Sequence, residues 1–397
     1  MLKRIKQAIG YYLQRTDVLL MVLSLVICLF GLVLIWTSSQ PQIKEGINPS
    51  RVMMVQGIGI GLGFVGLVIR SLVDFERFPW LWIPMAVFNV AFQLSLYWLG
   101  KEVGGNKSWI ELPGGMNIQP GEIGKIIFIY TMASHMNLLR GKKNSFWTML
   151  QLVAHMGITM AAVFAISKDL GVSLMYPLIF LAMLLAFGVS VWWFAAAAAG
   201  AGVCLPILWR IMSIGQKMRI LVVANPVLAE AYSQQYFEQY GYSLADRYSY
   251  QAKHTQYAIG NGQLLGQGYL QGSRTQAGWV PASHTDSIFS VCAEELGFLG
   301  ALALLILLVL LVFRIYYDSW RASDQFSALL CVGVGSMFMW QIGINVGMNL
   351  GVFPVIGLTL PLVSYGGTSV MTTLASLGLA CGAVGRIKPT WLQSDDD

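Results

Sequence analysis

Charge is scarce in this chain. Of its 397 residues only 11% are Asp, Glu, Lys or Arg, while 56% are hydrophobic and the mean hydropathy is +0.62; an average soluble domain carries about 25% charged residues. That balance excludes a soluble globular fold. No ordinary core could hide so many near-charge-free runs of about 18 or more residues, each able to cross roughly 30 Å of hydrocarbon as a helix. Histidine and cysteine are also few. His135, His155, His254 and His284 form no HExxH, which argues against a zinc hydrolase. Cys28, Cys204, Cys292, Cys331 and Cys381 form no CxxC and no even set in a polar loop, so they read as small buried hydrophobes. The net charge of +6 is scattered between the apolar runs. This excludes a nucleic-acid patch and suits orientation in a bilayer.

The apolar runs predict spans near residues 18–38, 52–69, 79–99, 122–137, 147–166, 172–188, 191–209, 290–313, 325–348 and 366–384. The expected fold is therefore an all-α polytopic membrane protein of about ten transmembrane helices, in one integral membrane domain over 1–397. The first run follows Lys3, Arg4 and Lys6 as a signal peptide would, but it is too long and lacks a small-x-small cleavage site, so it reads as a retained span. Residues 172–209 hold no charge and must be two helices with a tight turn between them. With an even count, Lys3, Arg4, Lys6, Arg15, Arg70, Arg77, Arg140, Lys142, Lys143, Arg314, Arg321, Arg386 and Lys388 share the side of the termini. Opposite them the short loops hold only Lys44, Arg51, Lys101, Lys107 and Lys168. Both termini are thus expected in the cytoplasm.

Two segments then lie outside: 100–121, and a long extracytoplasmic loop over 210–289 between helices 7 and 8. The long loop carries aromatics throughout and is no disordered tract. Its stretch MRILVVANPVLAEAY, Met218 to Tyr232, reads as one amphipathic helix on the membrane surface. IGNGQLLGQGYLQGS, Ile259 to Ser273, reads as tight turns or a linker. It lacks the strand and helix that a nucleotide-binding fingerprint requires. No tandem repeat points to an inverted-repeat transporter.

Ionisable groups at membrane depth are costly and mark functional candidates. Glu122 and Lys125 share one helix face at the start of the fourth span, either as a structural ion pair or as lining of an outward cavity. Asp169 opens the sixth span, where it would also favour the helix dipole. In WVPASHTDSIFSVCAEELGFLG, Thr285 or Asp286 can cap the eighth span, but Glu294 and Glu295 fall two to three turns inside it. Such carboxylates must find a cation, a hydrogen-bond network or a wet cavity, or else become protonated as their pKa rises. PVIGLTLPLVSYGGTSV, with Ser364, Tyr365 and Thr368, is broken backbone that must be buried in protein or line a cavity. All these groups converge on the outer ends of the spans.

The motifs IQPGEIGK, KDLGVSLM, GQGYLQGSRTQ, GWVPASHTDSIFSVCAEELGFLG and NVGMNLGVFPVIGLTLPLVSYGGTS closely resemble the SEDS family (RodA, FtsW and SpoVE) over most of the chain and in the family's order. The resemblance implies a peptidoglycan glycosyltransferase of the bacterial cytoplasmic (inner) membrane. Such an enzyme polymerises lipid II with a class B penicillin-binding protein as partner, in cell-wall synthesis for cell shape or cell division. It places the family's essential aspartate on Asp286, its fourth-span pair on Glu122 and Lys125, and its DLG aspartate on Asp169. Two departures stand out. Lys107, Ser108 and Trp109 occupy a place where many members have Arg-Arg-Trp, and Gly121 replaces the serine of QPSE. One lysine loses the bidentate grip of two arginines on phosphate. Residues 224–257 also depart from the common pattern.

Glycan polymerisation needs a base for the acceptor hydroxyl, and a carboxylate can take that proton. Asp286 is the candidate, with His284 as the alternative. Pyrophosphate could be met by Lys125, Lys107, Arg210 or Arg274, or by a divalent cation such as Mg or Mn. Thr285, Glu294, Glu295, Ser364 and Tyr365 complete the expected substrate-binding or cavity-lining set. The rival is a lipid II flippase, which would want its polar groups near the midplane rather than at one face.

Overall fold

The computed structural model describes residues 16–72, 79–103, 106–111 and 117–384. Seven helices precede the long segment: α1 Val18–Ser39, α2 Pro49–Leu72, α3 Trp82–Leu94 with a further turn Leu96–Leu99, α4 Pro120–Leu138, α5 Phe146–Ser167, α6 Leu170–Phe187 and α7 Val191–Ile211. Then come α8 Ile214–Ala224, α9 Pro226–Tyr240 and α10 Leu244–Gly262, followed by α11 Ile288–Arg321, α12 Gln325–Asn349 and α13 Gly367–Val384. A helix coincides with every predicted span, and among the described residues eight are long and apolar enough to cross a membrane. The two outside that count are α4 and α13. Helix α4 is buried on nearly all sides by other helices, so it carries Glu122, Lys125 and His135 without presenting them to lipid.

Several joints follow from local chemistry. Asp17 caps α1 by accepting from Leu20 N at 3.0 Å. Gly188, at φ 74°, ends α6 in the left-handed conformation and makes the tight turn to α7. Gln93 Nε2 donates to Pro120 O at 2.9 Å and Asn89 Nδ2 to Gly124 O at 3.0 Å, so polar groups of α3 fix the start of α4. Helices α2 and α13 approach backbone to backbone: a Cβ on Gly59 would stand 2.4 Å from Gly367 O. Small residues allow such contact where lipid offers no hydrophobic drive to pack helices. Arg314 pairs with Asp17 at one end of α1, and Glu295 binds Thr37 at the other, so α1 and α11 run antiparallel.

The segment over 100–121, expected outside, holds a small antiparallel sheet of β1 Gly100–Val103, β2 Asn106–Glu111 and β3 Asn117–Ile118. One expectation about the long segment needs correction. Met218–Tyr232 is two helices, because Pro226 cannot continue α8 and Asn225 caps α9 by accepting from Leu228 N at 3.0 Å. The long segment is therefore a cap of three helices, α8, α9 and α10. Of the basic residues used for orientation, Lys3, Arg4, Lys6, Arg15, Arg77, Arg386 and Lys388 lie outside the described residues. Cys28, Cys292, Cys331 and Cys381 are buried, as small hydrophobes should be.

The glycine-rich stretch has a structural task. Helix α11 breaks at Gly297, φ 69° and ψ −170°, which frees backbone groups inside it. The loop after α10 takes them up: Gln267 N and Gly268 N donate to Glu294 O and Glu295 O, each at 3.0 Å. In return Phe298 N donates to Gln263 O at 2.9 Å and Leu299 N to Leu264 O at 3.2 Å. These four bonds stand in for intrahelical ones lost at the break. Contact is so close that a Cβ on Gly297 would stand 2.2 Å from Gly266 N. Gly297→Ala is expected to destabilise the fold by about 2 kcal/mol or more, from left-handed strain plus this clash. Thermal unfolding of the detergent-solubilised chain checks it.

Candidate active site

At the end of the bundle away from Asp17 and Arg314 lies a cavity of about 340 Å³. Sequence-distant pieces wall it: Ser108 and Trp109 of β2, Gln119 and Glu122 at the head of α4, Asp169 and Val172 at the head of α6, and Arg219 of α8. Gln251 of α10, the Thr285–Asp286 turn, the broken segment Val355–Thr359 and Tyr365 to Ser369 close it.

Asp286 is held by its backbone. Its carbonyl accepts from Asn345 Nδ2 and Asn349 Nδ2, both at 2.9 Å and one turn apart on α12. Asn345 Nδ2 also donates to Leu358 O at 2.6 Å, so one amide joins the aspartate turn to the broken segment. Ser364 Oγ donates to Thr285 O at 2.6 Å and Tyr365 N to His284 O at 2.8 Å. The carboxylate, by contrast, accepts no hydrogen bond from any described residue, and it faces the cavity. Burial first, and the charge of Asp169 second, push its pKa up to about 6, against the pull of Arg219. A carboxyl group titrating there is still mostly ionised at pH 7.

Asp169 is a cap and a cavity wall at once. Its Oδ1 accepts from Val172 N at 3.1 Å and its Oδ2 from Gln119 Nε2 at 3.3 Å, while burial, chiefly, pushes its pKa up. Glu122 also faces the cavity, but its partner stands behind the wall. Lys125 is fully buried, with Nζ 2.8 Å from Glu122 Oε1 and 3.3 Å from Gln341 Oε1. Gln341 Nε2 in turn donates to Thr359 O at 3.2 Å, so the pair ties α4 to the broken segment. Gly121 permits this approach of α4 to α6: a Cβ there would meet Val172 Cγ1 at 2.7 Å.

Other predicted residues stand elsewhere. Lys107 points away, donating to Tyr97 O at 2.6 Å. His284 lies beside the cavity with Nδ1 2.5 Å from Gln42 Nε2 and its ring against Tyr365; burial lowers its pKa, so it is neutral at pH 7. Ser364 braces the turn instead of facing the cavity. Glu294 and Glu295 reach neither lipid nor cavity. Glu294 accepts from Arg274 N at 2.8 Å, Thr275 N at 2.9 Å and Thr275 Oγ1 at 2.6 Å. Glu295 accepts from Thr37 Oγ1 at 2.7 Å, Gln276 Nε2 at 2.9 Å and Leu270 N at 3.1 Å. These two buried carboxylates are satisfied by hydrogen bonds and pin the loop, with no cation needed. Arg274 is therefore outside the cavity, and Arg210 sits exposed in the last turn of α7.

Sequence reasoning missed Arg219, Gln119, Gln251 and the Asn345–Asn349 pair. The asparagines were findable: amides at i and i+4 on an otherwise apolar helix make one polar face. Arg219 was not, because one amphipathic helix over Met218–Tyr232 would have placed it toward water. It makes no salt bridge among the described residues. Arg219→Gln should raise the titration midpoint of Asp286 above about 6, since it removes the cation that favours the charged form. Asp169→Asn should lower it, and pH–rate profiles of both variants check the opposed signs.

Fold and site together define a multi-pass membrane protein with one carboxylate-lined cavity under a helical cap. The chain belongs to the FtsW, RodA and SpoVE family of cell cycle proteins, whose model matches residues 17–384. It is 30% identical over 393 residues to the probable peptidoglycan glycosyltransferase FtsW of Bacillus subtilis (strain 168), covering 96% of this chain and 91% of that one. Peptidoglycan glycosyltransferase MrdB of Escherichia coli (strain K12) is 29% identical, covering 91% and 92%. Among solved structures, a chain of a peptidoglycan synthase complex that coordinates polymerization and crosslinking matches with a TM-score of 0.75 and 25% identity, over 94% of this chain and 98% of that one. Thermus thermophilus RodA matches with a TM-score of 0.66 at 22% identity, over 94% and 98%.

Proposed function

We infer that this chain is a peptidoglycan glycosyltransferase that polymerises lipid II at the outer face of the bacterial cytoplasmic membrane. One observation carries the reading: a carboxylate without a hydrogen-bond partner, Asp286, shares a cavity with an arginine, Arg219, that makes no salt bridge among the described residues. In the reaction the 4-hydroxyl of an acceptor sugar attacks C1 of the donor. A glycosidic C–O bond forms, the C1–phosphate oxygen bond breaks, and the pyrophosphate leaves on its lipid with the electron pair. Asp286 takes the hydroxyl proton as general base. Arg219 meets the pyrophosphate charge, and Gln251 and Gln119 offer amides to the sugars.

A divalent ion, Mg²⁺ or Mn²⁺, would supply further neutralisation of the leaving group when bound. Among the described residues no group of three His, Cys, Asp or Glu side chains clusters to hold it. Asp169 and Asp286 would hold it together with phosphate oxygens, the common arrangement for Mg²⁺. A class B penicillin-binding protein, which crosslinks strands, is the expected partner; the likeness to a chain of a synthase complex supports it.

Purified protein, with its partner, is expected to convert labelled lipid II into glycan strands. Movement of labelled lipid II across proteoliposomes with no polymer formed at all would overturn the reading in favour of transport.

A further inference from the structure

Arg274 was expected in the cavity and is not there, which leaves a cation unexplained. Its guanidinium lies 4.7 Å from the centre of the Tyr257 ring and 5.6 Å from that of Trp279. Its Nε is buried and bonds to nothing, and no carboxylate pairs with it among the described residues. Beside it His254 has a buried Nδ1 that also lacks a partner. The His254 ring is 6.3 Å from Tyr257 and 4.2 Å from Tyr250. These five side chains form one ribbon.

The rest of the chain leaves much of it uncovered. Tyr250, Tyr257 and Trp279 are 48%, 53% and 53% exposed, unusual for three neighbouring aromatics. Tyr250, His254 and Tyr257 recur at i, i+4 and i+7, which puts them on one flank of α10. On the adjacent flank Gln251 lines the cavity and donates to Ser287 Oγ at 3.1 Å, one residue from Asp286. The other end of the ribbon is equally fixed, because Glu294 holds the Arg274 and Thr275 backbone. A rigid surface therefore continues outward from the mouth of the cavity.

We propose that Tyr250, His254, Tyr257, Arg274 and Trp279 form a platform for the carboxylate-bearing glycan strand as it leaves the cavity. The inference rests on the polymerase reading and names where its product lies. Aromatic faces supply broad apolar contact for the C–H faces of sugar rings at small entropic cost. The guanidinium, set beside both rings, offers its free N–H groups to a carboxylate of the attached peptide. Acceptor atoms on the sugar or peptide would satisfy the buried Nε–H of Arg274, which at present bonds to nothing.

The test uses the full chain with its partner and two probes: uncrosslinked glycan oligomers with peptides, and the same oligomers stripped of peptide. Tyr257→Ala and Trp279→Ala should bind both probes about tenfold more weakly and yield shorter strands, while joining of the first two substrates keeps its rate. Arg274→Gln should weaken only the peptide-bearing probe. Tyr257→Phe keeps the ring and should behave as the parent chain; Arg274→Gln carries the test if an alanine variant fails to fold. Parent-like strand length and affinity in Tyr257→Ala, Trp279→Ala and Arg274→Gln overturns the platform. So does a change confined to binding of anionic phospholipid vesicles. If the parent chain makes no polymer, the polymerase reading fails, and oligomer binding alone decides the platform.

Discussion

Asp286→Asn is expected to lower the polymerisation rate by about 10² to 10⁴, the usual contribution of a positioned general base. The amide has nearly the shape of the carboxylate and cannot take a proton at neutral pH. Folding should survive, because the contacts that hold this turn are made by the Asp286 carbonyl to Asn345 and Asn349, not by the side chain. In the parent chain the rate should fall about tenfold per pH unit below the midpoint near 6, as the carboxylate becomes protonated. Burial sets that midpoint, with Asp169 adding to it. The Asn variant should lose this acid limb along with the rate. Rates with labelled lipid II across pH 5 to 8 check both effects. A folded Asp286→Asn chain that polymerises at the parent rate removes Asp286 from the chemistry.

How much of this was legible in the sequence depended on whether local chemistry decided the outcome. Span positions were legible because apolar runs and their breaks are local. The turn at Gly188, the cap at Asp17 and the helix break forced by Pro226 are of the same kind, although the last was read through as one helix. The convergence of Asp286, Asp169 and Glu122 was also readable, since each stands at the head of a span on the same side. Roles that depend on three-dimensional pairing were not. Glu294 and Glu295 read as carboxylates needing a cation, a hydrogen-bond network or a wet cavity; the network is what forms, but its partners, among them backbone amides 19 to 25 residues away in the chain, had no local mark. Arg274 and Lys107 were plausible phosphate ligands by charge alone, and their side chains turn elsewhere. Nothing local marks Arg219 as the cation that reaches the cavity.

Lys125→Met carries the second large effect. It removes the cation beside Glu122, whose side chain is only 9% exposed, and strands both that carboxylate and the Gln341 oxygen. Breaking a buried pair from one side costs about 3–5 kcal/mol, because the remaining charge has lost its compensation. Glu122 borders the cavity, where water can reach it, so the lower end of the range, about 3 kcal/mol, is expected. The double variant Glu122→Gln/Lys125→Met removes both charges and should recover stability to within about 1 kcal/mol of the parent chain. Thermal and denaturant unfolding of the parent, Lys125→Met, Glu122→Gln and the double variant in one detergent gives the coupling. If the pair only braces α4 against α12 and the broken segment, the recovered double variant polymerises normally. If Glu122 also touches substrate from the cavity wall, stability returns and the rate does not, which separates the two roles of one ion pair.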